Sequence, residues 1–264
     1  MRCKIFEKNQ IENILNMFSE NNQIKEIAKK YNCYPQVIQN LLKREIGYKP
    51  TQVKTKNIRY FQKIDSKLKA YFAGFIAADG AIVKNELTIS IHRKDISILE
   101  KIKKELESPN KIISLNKHNT DMVRFSVGNK NLKNDLNNLG ITSRKTFSIG
   151  NILNNIPNEY KSSFILGYFD GDGSFSFNQR KGLFSIRGTQ ELLNGFSEYL
   201  DLDFSHIKKY DSTYDLREWK QSEILRIYKK LYSNQEFFLN RKFQKFNKYI
   251  TNVYGQEETI SSSQ

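Results

Sequence analysis

A chain of 264 residues with 38% hydrophobic and 12% aromatic residues can bury one large core, or one medium core and one small one. No apolar run reaches a membrane span and the opening MRCKIFEKNQ lacks the apolar stretch of a secretory signal; Cys3 and Cys33 supply neither a disulfide framework nor a zinc pair. The formal net charge of +15, from 43 Lys and Arg against 28 Asp and Glu, favours a polyanionic partner, since each neutralised phosphate releases counterions. No basic amphipathic anchor turns that preference toward a membrane. A reducing compartment is expected, either cytoplasm or an organellar matrix for an organelle-encoded chain, without secretion.

In chain order, IENILNMFSENNQIKEIAKKYNCYPQVIQNLLKR predicts three short helices within residues 1–48. Ile24, Ile27, Ala28 and Tyr31 share one helical face, and Val37, Ile38, Leu41 and Leu42 another. Between them Asn32 suits a left-handed turn residue and Pro35 a first helical turn. The spacing resembles the helix-turn-helix family, whose second motif helix enters the major groove. Gln36, Gln39, Asn40 and Lys43 would form its exposed, DNA-contacting face. Residues 49–66 are polar and basic with Pro50 and no sustained period, and read as a linker. Tyr60, Phe61 and Ile64 are expected to pin its end to the next domain.

From residue 67 a pattern occurs twice. KAYFAGFIAADGAI reads as an apolar helix ending in Asp-Gly, followed by a strand alternating Leu87, Ile89, Ile91 against Thr88, Ser90, His92. The helix KDISILEKIKKELES, the strands KIISLNK and MVRFSVGN, and the helix KNLKNDLNNLG closed by Gly140 complete the unit. SSFILGYFDGDGSF then restarts it: strands SFSFNQR and LFSIRG, helix TQELLNGFSEYL, strands near SHIKKY and TYDLREW, helix QSEILRIYKKLY. The halves run over about 67–150 and 158–254, and residues 255–264 read as a disordered tail.

Aligned at the 93-residue offset from Asp79 to Asp172, Ala70, Gly74 and Ala78 fall opposite Ser163, Gly167 and Gly171. Each set is spaced by four, a stripe of small residues that lets two helix backbones approach closely. Packing along the stripes would bring Asp79 and Asp172 into one small volume. Apposed carboxylates at two helix C-termini repel one another, and a divalent cation resolves the conflict. Mg²⁺ takes one or two carboxylates plus substrate phosphate, so the pattern points to phosphodiester hydrolysis.

FAGFIAADG and ILGYFDGDG resemble the paired signature of the LAGLIDADG homing endonucleases, mobile-element nucleases, in their single-chain form. YFQKID, KTFSI and LNRKFQKF add to the likeness, which covers residues 67–254. It implies an α+β fold of two pseudo-symmetric αββαββα halves, forming a saddle of antiparallel sheets whose strands lie in the major groove. By motif position the metal-binding acids fall on Asp79 and Asp172, with the backbone carbonyls of Ala78 and Gly171 as further ligands. Mg²⁺, or another divalent cation such as Mn²⁺, is the implied cofactor. The family also places a basic residue near each scissile phosphate, and Lys145 and Lys242 match those positions. The first motif departs in having Ala77 where the second has Asp170. DGDGS begins like a calcium loop, but Phe175 and Lys181 stand where that loop needs Gly and Glu.

The strand faces turned from the core should meet DNA. These carry Thr88, Ser90, His92, Arg93, Arg124 and Ser126 in the first half, and Ser176, Asn178, Arg180, Ser185, Arg187, Lys208 and Arg217 in the second. Different residues in the two halves predict a long asymmetric double-stranded target read by a monomer. A helix-turn-helix would extend that footprint, in specificity or in affinity alone. The competing expectation is a non-catalytic regulator or an intron RNA maturase on the same scaffold. No terminal His-Asn pair marks splice junctions, so an intein is not expected.

Overall fold

The computed structural model describes residues 6–20, 22–48, 55–115, 121–143 and 149–260. The chain divides into two compact units, Met1–Val53 and Lys54–Gln264. The first is built from α1 (Lys8–Ser19), α2 (Ile24–Lys30) and α3 (Pro35–Ile46). Helices α1 and α2 start on reciprocal caps, in which the Glu7 N–H donates to Gln10 Oε1 and the Gln23 N–H to Glu26 Oε2, each at 3.2 Å. Asn32 takes the left-handed conformation at φ 47° and Pro35 opens α3, as the sequence predicts. Phe6, Ile14, Ile27, Ala28, Ile38, Leu41 and Leu42 form its core.

The second unit contains α4 (Lys67–Asp79), β1 (Gly80–Val83), β2 (Glu86–His92), α5 (Ile96–Glu105), β3 (Ile113–Leu115), β4 (Met122–Gly128) and α6 (Lys130–Asn138). The order then repeats as α7 (Lys161–Asp172), β5 (Gly173–Asn178), β6 (Lys181–Gly188), α8 (Gln190–Leu200), β7 (Ile207–Tyr210), β8 (Thr213–Glu218) and α9 (Gln221–Tyr232). The fold is α+β with two αββαββα halves. Both sheets are antiparallel, ordered β1-β2-β4-β3 and β5-β6-β8-β7. Alternation sets their two faces: Leu87, Ile89, Ile91, Val123, Phe125 and Val127 are buried in the first, while Thr88, Ser90, Arg124 and Ser126 face outward.

α4 and α7 are apolar all round, because they run through the middle of the unit. Residues 70–77 and 163–170 are buried without a break. The stripes face each other. A methyl group on Gly74 would lie 1.9 Å from the Phe164 carbonyl oxygen, and one on Gly167 would lie 1.9 Å from that of Tyr71. Phe164 is Tyr71 shifted by the repeat offset, so the two close approaches are related by the pseudo-two-fold axis.

Two sequence expectations need correction, and one helix is added to those the sequence predicts. The linker expected over 49–66 is, from residue 55, bonded into the second unit. The Asn57 N–H donates to the Leu106 carbonyl at 3.2 Å, Arg59 pairs with buried Asp135 at 2.8 Å, and Tyr60, Phe61 and Ile64 are buried. Residues 49–54 lie outside the described residues. LNRKFQKF, expected only as a motif, opens a long amphipathic helix α10 (Asn240–Tyr254), which buries Phe243, Phe246, Tyr249 and Ile250. The tail expected to be disordered is ordered through residue 260. A 3₁₀ turn at Gln256–Glu258 comes after α10, the Ile260 N–H donates to the Tyr228 hydroxyl, and the Ile260 side chain packs on the core. Its apolar end finds partners that polar composition did not suggest.

Candidate functional site

The close approach of α4 and α7 persists to their C-terminal ends. A methyl group on Gly171 would meet the Cβ of Ala78 and stand 3.4 Å from the Asp79 carboxylate, so Asp79 lies against the end of the opposite motif helix. Ala78 and Asp79 are half-buried, Gly171 likewise, and Asp172 is exposed. Burial raises the pKa of the Tyr168 hydroxyl, with the charges of Asp172 and then Asp79 adding to it. The Tyr168 hydroxyl itself donates to the Arg187 carbonyl at 3.1 Å. Gly80 and Gly173 immediately begin β1 and β5, so each acid sits where an apolar helix turns into an edge strand.

Beneath these ends lies a polar cluster for which the sequence offers only fragments. Asp170, 2% exposed, accepts from the Tyr71 hydroxyl and from the Leu239 N–H, both at 2.8 Å. Burial pushes its carboxyl up to about 6, against the pull of Lys242, Leu239, Tyr71 and Arg241. Lys242 is 8% exposed, and its Nζ donates to the carbonyls of Phe169 at 2.5 Å and Gly173 at 2.6 Å. Burial draws the ammonium down to about 8, with Asp170 opposing. The motif position implies that Lys242 faces a scissile phosphate; in the structure it closes the carbonyl end of α7 instead. Its α10 neighbour Arg241 crosses to the first half and grips Asp95 through Nε at 2.7 Å and Nη2 at 2.8 Å. Lys145 lies outside the described residues.

The remaining expected residues fall into three groups. Thr88 and Ser126 share a hydrogen bond at 3.0 Å across β2 and β4, and the Arg124 Nε donates to Ser90 Oγ at 2.9 Å. Ser176, Asn178, Ser185, Arg187 and Arg217 share the outward face of the second sheet, with Lys208 opposite Asp215 on β7. His92 is exposed at the end of β2, and Arg93 reaches Asp121 and Ser114, each at 2.7 Å. Arg180 leaves the face. It sits in the β5–β6 turn and donates to the Val253 carbonyl at 3.2 Å, because the preceding Gln179 takes a left-handed conformation that redirects the chain. In the first unit Gln36, Asn40 and Lys43 are exposed and Gln39 half-buried, with the Gln36 amide donating to Asn40 Oδ1 at 3.1 Å.

Sequence reading missed Asp215, although alternation along TYDLREW places it beside Arg217. It also missed Tyr210 and Leu183 on the outward face. Asp95 and Arg241 are 146 residues apart, and no local signal joins them.

Among the described residues, no three His, Cys, Asp or Glu side chains gather into a metal-binding group. The donors that the motif implies there are the carboxylates of Asp79 and Asp172 and the backbone carbonyls of Ala78 and Gly171. All are hard oxygens, a set that fits Mg²⁺ and not a thiolate- or imidazole-seeking metal. No helix among the described residues is long and apolar enough to cross a membrane.

No family model and no curated protein matches the sequence. Solved structures do match. The LAGLIDADG meganuclease I-CpaMI bound to uncleaved DNA is similar at a TM-score of 0.51 and 16% identity, over 74% of this chain and 95% of that one. The LAGLIDADG meganuclease I-AabMI bound to uncleaved DNA is similar at 0.50 and 14% identity, over 69% of this chain and 88% of that one. At these identities the likeness is one of fold. The chain has the two-half saddle fold of those LAGLIDADG meganucleases.

Proposed function

We propose that this protein is a site-specific double-strand DNA endonuclease, acting as a monomer on a long asymmetric target with a divalent cation. The observation that carries the reading is the apposition of the two motif helices, which approach closely at Gly74 and Gly167 and bring Asp79 against Gly171, the residue before Asp172. A pure binding protein gains nothing from two carboxylates placed together on a chain of net charge +15.

Asp79 and Asp172, with the carbonyls of Ala78 and Gly171, would hold Mg²⁺ or Mn²⁺, which supplies concentrated positive charge at the scissile phosphate. The Gly74 and Gly167 contacts fix the separation of the acids. Lys242 ties off the carbonyls of Phe169 and Gly173 and so sets the end of α7, a positioning role in place of the phosphate contact the motif implies. Lys145 keeps the proposed role of stabilising charge on the phosphate. The outward residues of both sheets would read base edges and phosphates, and Gln36, Gln39, Asn40 and Lys43 of α3 would add contacts to flanking sequence.

The test is cleavage of a randomised plasmid library with Mg²⁺, and then binding and cleavage of the selected site. Asp79→Asn and Asp172→Asn should each bind it as tightly as wild type and leave it uncut. Normal cleavage by both variants would remove the reading, and binding without cleavage by wild type would favour a regulator.

A further inference from the structure

On the outward face of the second sheet, one acid stands among bases. Asp215 is 4% exposed although it projects from the face turned away from the core. Two guanidinium groups cover it. Arg187 donates through Nε to Oδ1 at 2.9 Å and through Nη2 to Oδ2 at 3.4 Å, and Arg217 Nη2 donates to Oδ2 at 2.7 Å. Arg187 also lies over the Tyr210 ring, 4.5 Å from its centroid. Burial disfavours the Asp215 charge, but the hydrogen bonds from Arg187 and Arg217 outweigh it and hold the carboxyl below its usual range.

Register places this cluster beside the candidate site. Ile186 pairs with Gly173, so Arg187 is the next residue along β6 where Asp172 ends α7. The Arg187 carbonyl accepts from the Tyr168 hydroxyl at 3.1 Å, and the Asp172 charge acts on its guanidinium. The first half differs at the matching places. Ile89 pairs with Gly80 as Ile186 does with Gly173, so Ser90 corresponds to Arg187, and its β4 partner Arg124 corresponds to Asp215. Within the sheets, the arginine at these matching places therefore stands on the neighbouring strand in the second half and one strand further away in the first.

We infer that Asp215 is a positioning residue that fixes Arg187 beside Asp172 to hold the DNA backbone at one of the two scission points, so that the two strands are cut by unequal machinery. An acid whose two oxygens are both taken up by guanidiniums is poorly placed to read a base; what it can do is lock two flexible arginines into one fork geometry. The inference rests on the endonuclease reading.

The experiment is single-turnover cleavage of the selected site with a different fluorophore on each strand, together with binding measured in EDTA. Asp215→Asn keeps the shape and one acceptor but cannot hold both guanidiniums. It should slow scission of one strand by about 10- to 100-fold, accumulate a nicked duplex, and bind in EDTA as tightly as wild type or more so, since a negative charge has left the face. Arg187→Gln should slow the same strand, while Asp215→Glu should recover part of the rate. Equal slowing of both strands, slowing of opposite strands by the two variants, or no change would overturn the inference. Failure of wild type to cut either strand would instead overturn the endonuclease reading.

Discussion

Gly74→Ala and Gly167→Ala together probe the geometry on which the site depends. Each methyl would lie 1.9 Å from a backbone carbonyl oxygen of the opposite helix, which cannot rotate away as a side chain could. Restoring van der Waals contact requires α4 and α7 to separate by about 1.5 Å or more. Overpacking of this kind costs about 1–3 kcal/mol, against which the better helix propensity of alanine returns up to about 1 kcal/mol. A net loss of about 1–2 kcal/mol is expected for each single variant. Once the helices have parted for one methyl, the second meets less resistance. The double variant should therefore lose clearly less than the sum of the singles, a coupling that urea unfolding monitored by far-UV circular dichroism measures directly. Cleavage should fall further than stability, because displaced helix ends move Asp79 and Asp172 apart. Single variants as stable as wild type, or strictly additive losses, would refute the close-packed interface and with it the apposed acids.

The buried Asp170 gives a pH dependence with a definite sign. Its folded pKa of about 6 lies above the ordinary carboxyl value of 3.8, so its protonated form is favoured in the fold; the stability this confers is full below about pH 4 and is lost as pH rises through 6. The difference corresponds to about 3 kcal/mol, and Asp170→Asn should flatten the stability profile between about pH 4 and 6 in denaturant titrations. Arg241→Ala should cost about 1–3 kcal/mol, because it strands the 6% exposed Asp95 at the join between the halves, and a lowered unfolding midpoint would show it. Replacing Gln36, Gln39 and Asn40 by Ala should shorten the protected flank in DNA footprinting without abolishing cleavage of the central site.

The repeat was legible because it is written in local signals. Small residues every four positions, an Asp-Gly at each helix end, and strict alternation in ELTISIH are fixed by helical and pleated periodicity, which a sequence displays directly. Those signals determined the α+β class, the two halves, the helix pair and the position of Asp79 and Asp172 at the helix ends. They could not determine what lies beneath and beside the acids. Lys242 has the motif position of a phosphate-facing lysine and is turned inward, because two carbonyls at the end of α7 compete for its ammonium and only the packing of α10 brings them within reach. The Asp95–Arg241 pair, the burial of Asp170 against Tyr71, and the fork of Arg187 and Arg217 on Asp215 all join residues whose neighbours in sequence say nothing of one another. Periodicity is a property of a single element and survives in the sequence, whereas the orientation of a charged side chain depends on which other elements close around it, and that is settled only when the chain has folded.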